Sequence, residues 1–145
     1  MTPQLPAVIS GFPGIGKSTL VQSKSYISDS DSSKFDKTQF PANYLYHIQQ
    51  VIAHGNSILC SSHDVVRNAL VAAHMPFTLV YPHVELKAEY MKRYADRGSP
   101  EAFLEMMDTK WDTFISQCAD QKGCTHYVLK PGEFLKDMWE ATYGV

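Results

Sequence analysis

The sequence predicts an α/β fold, a parallel sheet of five strands covered by helices on both faces. Three observations predict it. Short apolar runs of strand length alternate with amphipathic segments of helical period along the chain. A glycine-rich loop stands between the first strand-like run and the first helical one. The length, 145 residues, suits one core, so residues 1–145 read as a single three-layer domain without repeats or a linker.

The elements follow in order. "LPAVIS" (5–10) reads as a buried strand feeding the glycine loop, and a short helix follows over 19–23. "SYISD" (25–29) is a second strand. A helix over 43–54 carries Tyr44, Ile48, Val51 and Ile52 at helical spacing. "NSILCSS" (56–62) is a third strand, 65–74 a helix and "FTLVYP" (77–82) a fourth strand. The next helix, 84–98, closes on Gly98. Ser99-Pro100-Glu101 reads as a new helix start, with Ser99 as N-cap and Pro100 at the first helical position. That helix sets Leu104, Met107, Trp111, Ile115 and Cys118 on one stripe, which is a core face. "THYVLK" (125–130) is a fifth strand, and 132–142 is the closing helix.

Composition narrows the class. Hydrophobic residues at 44% and charged residues at 19% describe an ordinary folded protein. No apolar run approaches the roughly 20 residues of a bilayer span, and the N-terminus lacks the basic start and apolar stretch of a secretory signal. Cys60, Cys118 and Cys124 lack metal-ligand spacing and suit reduced thiols in a cytosol. The net charge is −2 and the basic residues are scattered, which argues against a long duplex grip but not against holding one nucleotide.

"SGFPGIGKST" (10–19) carries the chemistry. Gly11, Gly16, Lys17 and Ser18 satisfy G-x-x-x-x-G-K-[ST]. At average residue frequencies this pattern arises by chance in roughly one chain of this length in two hundred. Backbone N–H groups must converge on phosphate oxygens there, and side chains on the glycines would obstruct them. Gly11, Pro13, Gly14, Ile15, Gly16, Lys17, Ser18 and Thr19 are thus the candidate nucleotide-binding residues. Lys17 sets a compact cation against the β- and γ-phosphates, and the Ser18 hydroxyl completes a Mg²⁺ shell. The cofactors expected are ATP, or another nucleoside triphosphate, and Mg²⁺.

With this loop, with "DSDSS" (29–33) after the second strand, and with the arginines of the fourth crossover, the chain resembles the small P-loop kinases of the nucleoside monophosphate, shikimate and gluconate kinase type. The resemblance spans nearly the whole chain. It implies the three-layer P-loop NTPase fold with strand order 2-3-1-4-5. In shikimate-kinase-like enzymes an Asp-x-Asp here holds Mg²⁺ with one carboxylate and orients the acceptor hydroxyl with the other. By that resemblance Asp29 is the metal partner and Asp31 the acceptor ligand or base; the alternative from composition alone is that "SDSDSSK" is a polar loop. An arginine after the third strand binds the acceptor's phosphate or carboxylate in these enzymes, which makes Arg67 a candidate, with Ser61, Ser62, His63 and Asp64 around it. Without that role Asp64 is a helix N-terminal carboxylate and Arg67 a surface charge. Here the chain departs from the group: its third strand ends in serines where the group has an aspartate, so Asp64 or Asp29 must serve the metal. Arg93 and Arg97 stand four apart on one helix face. The resemblance makes them lid arginines closing over the transferring phosphate; otherwise they form an exposed ladder with Glu89. It also brings the loop Lys130-Pro131-Gly132 onto the adenine ring, where the composition describes a plain strand-to-helix turn.

The expected function is an ATP- and Mg²⁺-dependent phosphotransferase acting on a nucleotide or nucleoside-like acceptor. Two alternatives stay open. One is a nucleic-acid kinase resembling polynucleotide kinases, acting on a 5′-hydroxyl or on a hydroxymethylated base such as 5-hydroxymethyluracil in single-stranded or modified DNA. The other is an ATPase switch. The compact chain suits a phage-encoded enzyme working in a bacterial cytoplasm. Phe35, Phe40, Tyr44 and Tyr46 read either as base-stacking residues of the acceptor pocket or as core.

Overall fold

The computed structural model describes residues 5–30 and 35–144. Five strands, β1 Val8–Gly11, β2 Ile27–Asp29, β3 Ser57–Ser61, β4 Thr78–Pro82 and β5 Thr125–Leu129, form one sheet in the order β2-β3-β1-β4-β5. Every adjacent pair is parallel; Ile9 of β1 sits opposite Leu59 of β3 and Thr78 of β4. Parallel strands need crossovers, and six helices supply or follow them. They are α1 Lys17–Ser23, α2 Ala42–Ala53, α3 Asp64–Ala72, α4 Lys87–Asp96, α5 Glu101–Ala119 and α6 Leu135–Tyr143.

The direction of travel sorts the helices. From β1 the chain crosses to β2 at one edge, and every later connection runs back toward β5. Right-handed crossovers therefore set α1 on one face and α2, α3 and the α4–α5 pair on the other. Side contacts agree: α1 packs with α6, α2 with α3, and α4 with α5. β1 is consequently buried along its length, as are four of five residues in β3 and in β4. This is why these strands read as continuous apolar runs rather than alternating ones. β1, flanked by β3 and β4, is where the strand order reverses, so the crevice for a ligand opens at its carboxyl end.

The core joins both layers. Trp111 and Trp139 are wholly buried, and Phe12 meets Trp111 edge-on with ring centres 5.5 Å apart. Burying the Trp111 indole leaves no polar debt, because Nε1 donates to Val84 O at 2.8 Å. Of the expected α5 stripe, Met107, Trp111, Ile115 and Cys118 are buried and Leu104 is half-buried. Phe35 and Phe40 both pack on Tyr44, Phe35 edge-on at 4.8 Å, whereas Tyr46 is exposed.

Several boundaries differ from the expected ones. β1 begins at Val8, not Leu5, and α1 begins at Lys17, two residues before the expected start. The helix expected over 84–98 is a 3-10 turn, Val84–Leu86, followed by α4. Ser99 does not cap α5. Its amide donates to Tyr94 O and that of Gly98 to Ala95 O, which closes α4 in a Schellman motif. The extended Pro100 (ψ 149°) is the N-cap, and Ser99 Oγ accepts from Arg97 Nε. α6 starts at Leu135 because a turn, Glu133 N to Lys130 O, occupies the residues before it. Among the described residues no helix is long and apolar enough to cross a membrane.

Candidate phosphate-binding site

The loop between β1 and α1 is fixed from outside. Tyr94 Oη donates to Pro13 O at 2.8 Å and Arg93 Nη1 to Gly14 O at 2.9 Å. The Leu135 amide donates to Ile15 O at 2.8 Å. Three successive carbonyls are thus tied to α4 and α6. In a planar trans peptide the following N–H points the opposite way, so the amides of Gly14, Ile15 and Gly16 turn away from those partners. Among the described residues none of the three donates to a backbone acceptor. Convergent free amides in such a loop make an anion-binding concavity.

Glycine at position 14 is required twice over. Its φ of +86° lies in the left-handed region, and a Cβ there would stand 2.7 Å from the Tyr94 ring. Gly11 meets a different demand, because a Cβ would lie 3.1 Å from Lys17 Cδ, where the lysine stem crosses the loop. Lys17 Nζ donates to Gly11 O at 2.6 Å. Ile15 is fully buried beneath the loop, and Ser18 and Thr19 are exposed on the first turn of α1.

A cleft of about 290 Å³ brings Gly11, Pro13 and Lys17 together with Asp29, Ser30, Ser61 and Ser62. The strand ends forming it are braced. Ser10 Oγ donates to Ser61 O at 2.8 Å. Tyr44 Oη donates to Ser30 O at 2.6 Å, and Ser30 Oγ lies 2.7 Å from His47 Nε2. Asp29, exposed at the end of β2, therefore projects from a rigid base. Asp31 lies outside the described residues.

The cleft joins a larger cavity, about 390 Å³, at Pro13, Ser61 and Ser62. Its walls are mostly apolar: Phe12 below, and Phe103, Met106, Met107, Phe114 and Cys118 from α5. Burial pushes the Cys118 thiol up to about 11, so it stays protonated and is no nucleophile near neutrality. The polar side comes from α3. His63 and Asp64, both exposed, serve the helix start: Val65 N is close to His63 Nδ1 (3.3 Å) and Asp64 Oδ1 (2.9 Å), and the two side chains lie 2.9 Å apart.

Arg67 is not a surface charge. It is 5% exposed, donating through Nε to Ser62 O at 2.8 Å and through Nη1 to Gln121 Oε1 at 2.6 Å. Among the described residues it pairs with no carboxylate. A buried cation held by neutral oxygens alone is an uncommon arrangement, and it favours an anion in the adjoining cavity.

The two crossover arginines separate. Arg93 is half-buried and fully engaged: beyond Gly14 O it reaches Glu89 Oε2 at 2.7 Å and Glu133 O at 3.2 Å, between the rings of Tyr90 and Phe134. It sits behind the loop as a brace. Arg97 is exposed, its guanidinium over the rings of Tyr94 and Phe103, and Phe103 is a wall of the larger cavity. Lys130 and Pro131 face a separate hollow of about 350 Å³ with His83 and Leu86. The Gly132 amide donates to Glu89 and that of Lys130 to Glu133.

Sequence reasoning missed Tyr94, Glu133 and Phe134, each of which bears on the loop from a distant segment, and read Glu89 only as a helix-face partner of the two arginines. The only signal was Tyr94, which shares a helix face with Tyr90 in an otherwise polar stretch.

No family model matches the chain, and no curated protein matches it.

The donor set suits Mg²⁺ in kind. This ion takes one or two carboxylates together with phosphate oxygens and waters, and Asp29, in the cleft with Lys17, can supply the carboxylate, while Ser18 is exposed on the first turn of α1. Asp64, engaged with His63 and the Val65 amide, is the poorer candidate. Among the described residues no group of three metal-binding side chains gathers.

Proposed function

We propose that the chain is an ATP- and Mg²⁺-dependent phosphotransferase of the P-loop kinase type, acting on a nucleotide or nucleoside-like acceptor. The observation that carries this reading is the loop itself: three carbonyls tied outward, their following amides turned the other way, and Lys17 in one cleft with Asp29.

The loop amides and Lys17 hold the β- and γ-phosphates, and Lys17 offsets charge at the transferring group. Bound Mg²⁺ neutralises the phosphate oxygens. The acceptor lies in the larger cavity, whose volume falls within the usual range for small-ligand sites. Its anionic group pairs with Arg67, and its body packs on Phe103, Met106 and Phe114. The acceptor hydroxyl oxygen forms a bond to the γ-phosphorus as the bond from that phosphorus to the ADP oxygen breaks. Its proton passes to Asp31, the acceptor ligand or base in this reading. Arg97, over Phe103 of the cavity wall, closes toward the equatorial oxygens.

The test measures ADP formation from Mg-ATP with nucleoside monophosphates, nucleosides, and oligonucleotides with free 5′-hydroxyl or 5-hydroxymethyluracil groups. Turnover that depends on a free nucleotide or nucleoside is expected. Turnover with oligonucleotides alone replaces the acceptor with nucleic acid, and hydrolysis indifferent to every acceptor sinks the kinase reading.

A further inference from the structure

We infer that Ser30 is a further contact to the terminal phosphate, its hydroxyl turned toward that phosphate by His47; this rests on the proposal that the loop and Lys17 hold a nucleotide's phosphates. Ser30 follows β2 and lines the same cleft as Lys17 and Asp29. Its backbone is already engaged: the amide donates to Leu59 O at 3.0 Å, and the carbonyl accepts from Tyr44 Oη at 2.6 Å. The hydroxyl is thus the polar group that Ser30 still offers. It is also a cleft hydroxyl held by an imidazole, because Ser30 Oγ lies 2.7 Å from His47 Nε2. Ser61 and Ser62 line the cleft as well, but among the described residues no side chain bonds to their hydroxyls.

A serine hydroxyl carries one hydrogen, and the imidazole decides where it goes. If His47 presents a lone pair at Nε2, the hydrogen turns to the ring and the serine oxygen shows only lone pairs to the cleft. If Nε2 carries a hydrogen, the ring donates, and the serine hydrogen is free for an acceptor in the cleft. A phosphate beside Lys17 offers only negatively charged oxygens, which repel lone pairs and bind O–H donors strongly. The bound anion therefore selects the Nε2–H form. The surroundings of the ring allow that choice. Among the described residues no hydrogen bond is made by His47 Nδ1, and the side chain is half-buried on α2, so water can serve that nitrogen in either tautomer. Phe35, its ring centre 5.3 Å away, and the stacked Tyr44 at 6.4 Å hold the imidazole in place. Each bond in the row from His47 through Ser30 to phosphate polarises the next, so the serine donates more strongly than a lone hydroxyl. Ser30 touches the substrate in this scheme, and His47 is a positioning residue that acts through it.

The experiment titrates wild type, Ser30→Ala and His47→Gln with Mg-ATP and Mg-tripolyphosphate, with thermal melts to confirm folding. It also reads the histidine ring nitrogens of the wild type by nitrogen NMR in alkaline buffer, so that tautomer and not charge is observed. The signal missing in His47→Gln identifies His47. With tripolyphosphate bound, the ring hydrogen of His47 is expected on Nε2. Ser30→Ala is expected to weaken both compounds alike by about tenfold, the size of one lost hydrogen bond to a charged group. His47→Gln, whose side-chain amide can donate the same bond, keeps the wild-type affinities. An unchanged affinity in Ser30→Ala overturns the inference, because the serine then merely braces the end of β2. So does a ring hydrogen on Nδ1 in the wild-type complex, which needs no variant of Ser30 to be read. A phosphate found on Ser30 by intact mass after incubation with Mg-ATP overturns it too, since Nε2 then serves as an acceptor. These results leave the phosphate loop standing, whereas wild type binding neither compound removes both.

Discussion

Arg93 Nη1 donates to the carbonyl oxygen of Gly14 at 2.9 Å, joining residues 79 apart in sequence. The same guanidinium holds Glu89 and the Glu133 carbonyl, so α4, the glycine loop and the turn before α6 meet on one side chain. Arg93→Lys is therefore not conservative: an ammonium is a point donor and cannot span a planar fork of three acceptors between two rings. Leaving Gly14 O unpaired is expected to cost about 1–3 kcal/mol. Urea unfolding of Arg93→Lys and Arg93→Met should both show that loss, together with weaker Mg-ATP binding. Wild-type stability in the lysine variant would mean that the fork carries no load.

Gly14→Ala tests the loop's shape. The left-handed conformation costs a residue with a Cβ about 1–2 kcal/mol. The 2.7 Å approach to Tyr94 adds to it, because that ring is fully buried and its hydroxyl is committed to Pro13 O. The expected outcome is a lower denaturation midpoint with tripolyphosphate binding reduced or lost. Full affinity in the alanine variant would show that the loop opens without penalty.

These two residues also show where sequence reading stops. Gly14 and Lys17 are legible because the motif is local: strand, loop and helix follow one another between Val8 and Ser23. The sheet was legible too, since strands covered on both faces must be apolar throughout. Arg93 was legible as one of an i, i+4 pair with Arg97, which suggested one shared task, and as a helix-face partner of Glu89, a pair that does form. The fold separates them, because Arg93 points into the angle between α4 and the loop while Arg97 stands on the Schellman turn that ends the helix. Phe134 was silent for a similar reason: it bears on Gly16 and Arg93, which no spacing within its own segment encodes. The start of α5 failed on a smaller point, as Ser99 was already spent on closing α4.

Lys17→Ala and Asp29→Asn separate the two sides of the phosphate cleft. Lys17 and Asp29 both face the cleft, so neither substitution opens the core. Each variant is expected to melt within a few degrees of wild type. Lys17→Ala should abolish transfer, whereas Asp29→Asn should raise the Mg²⁺ concentration needed for half-maximal turnover, because one hard anionic ligand is lost. An alanine variant with near-normal turnover would contradict the position given to the phosphates. An asparagine variant with unchanged Mg²⁺ dependence would remove Asp29 from the metal's surroundings.

Arg67→Met weighs fold against function at the larger cavity. Methionine has a similar reach and fills the same space, so the substitution removes the charge with little lost packing. In an ordinary buried ion pair, deleting one partner strands the other and costs about 3–5 kcal/mol. Arg67 leaves no carboxylate behind; its partners are Ser62 O, beside two water-accessible clefts, the Gln117 carbonyl at 3.4 Å and the neutral amide of Gln121. Desolvating the guanidinium is a standing cost of the folded state, and removing it offsets the lost hydrogen bonds. The expected melting temperature is therefore equal to or above that of wild type. The KM for the acceptor should rise by about tenfold or more, as loss of a charged hydrogen bond implies, while the KM for ATP stays put. A variant that loses several kcal/mol in urea unfolding, with acceptor KM unchanged, would instead make Arg67 a strut between α3 and α5.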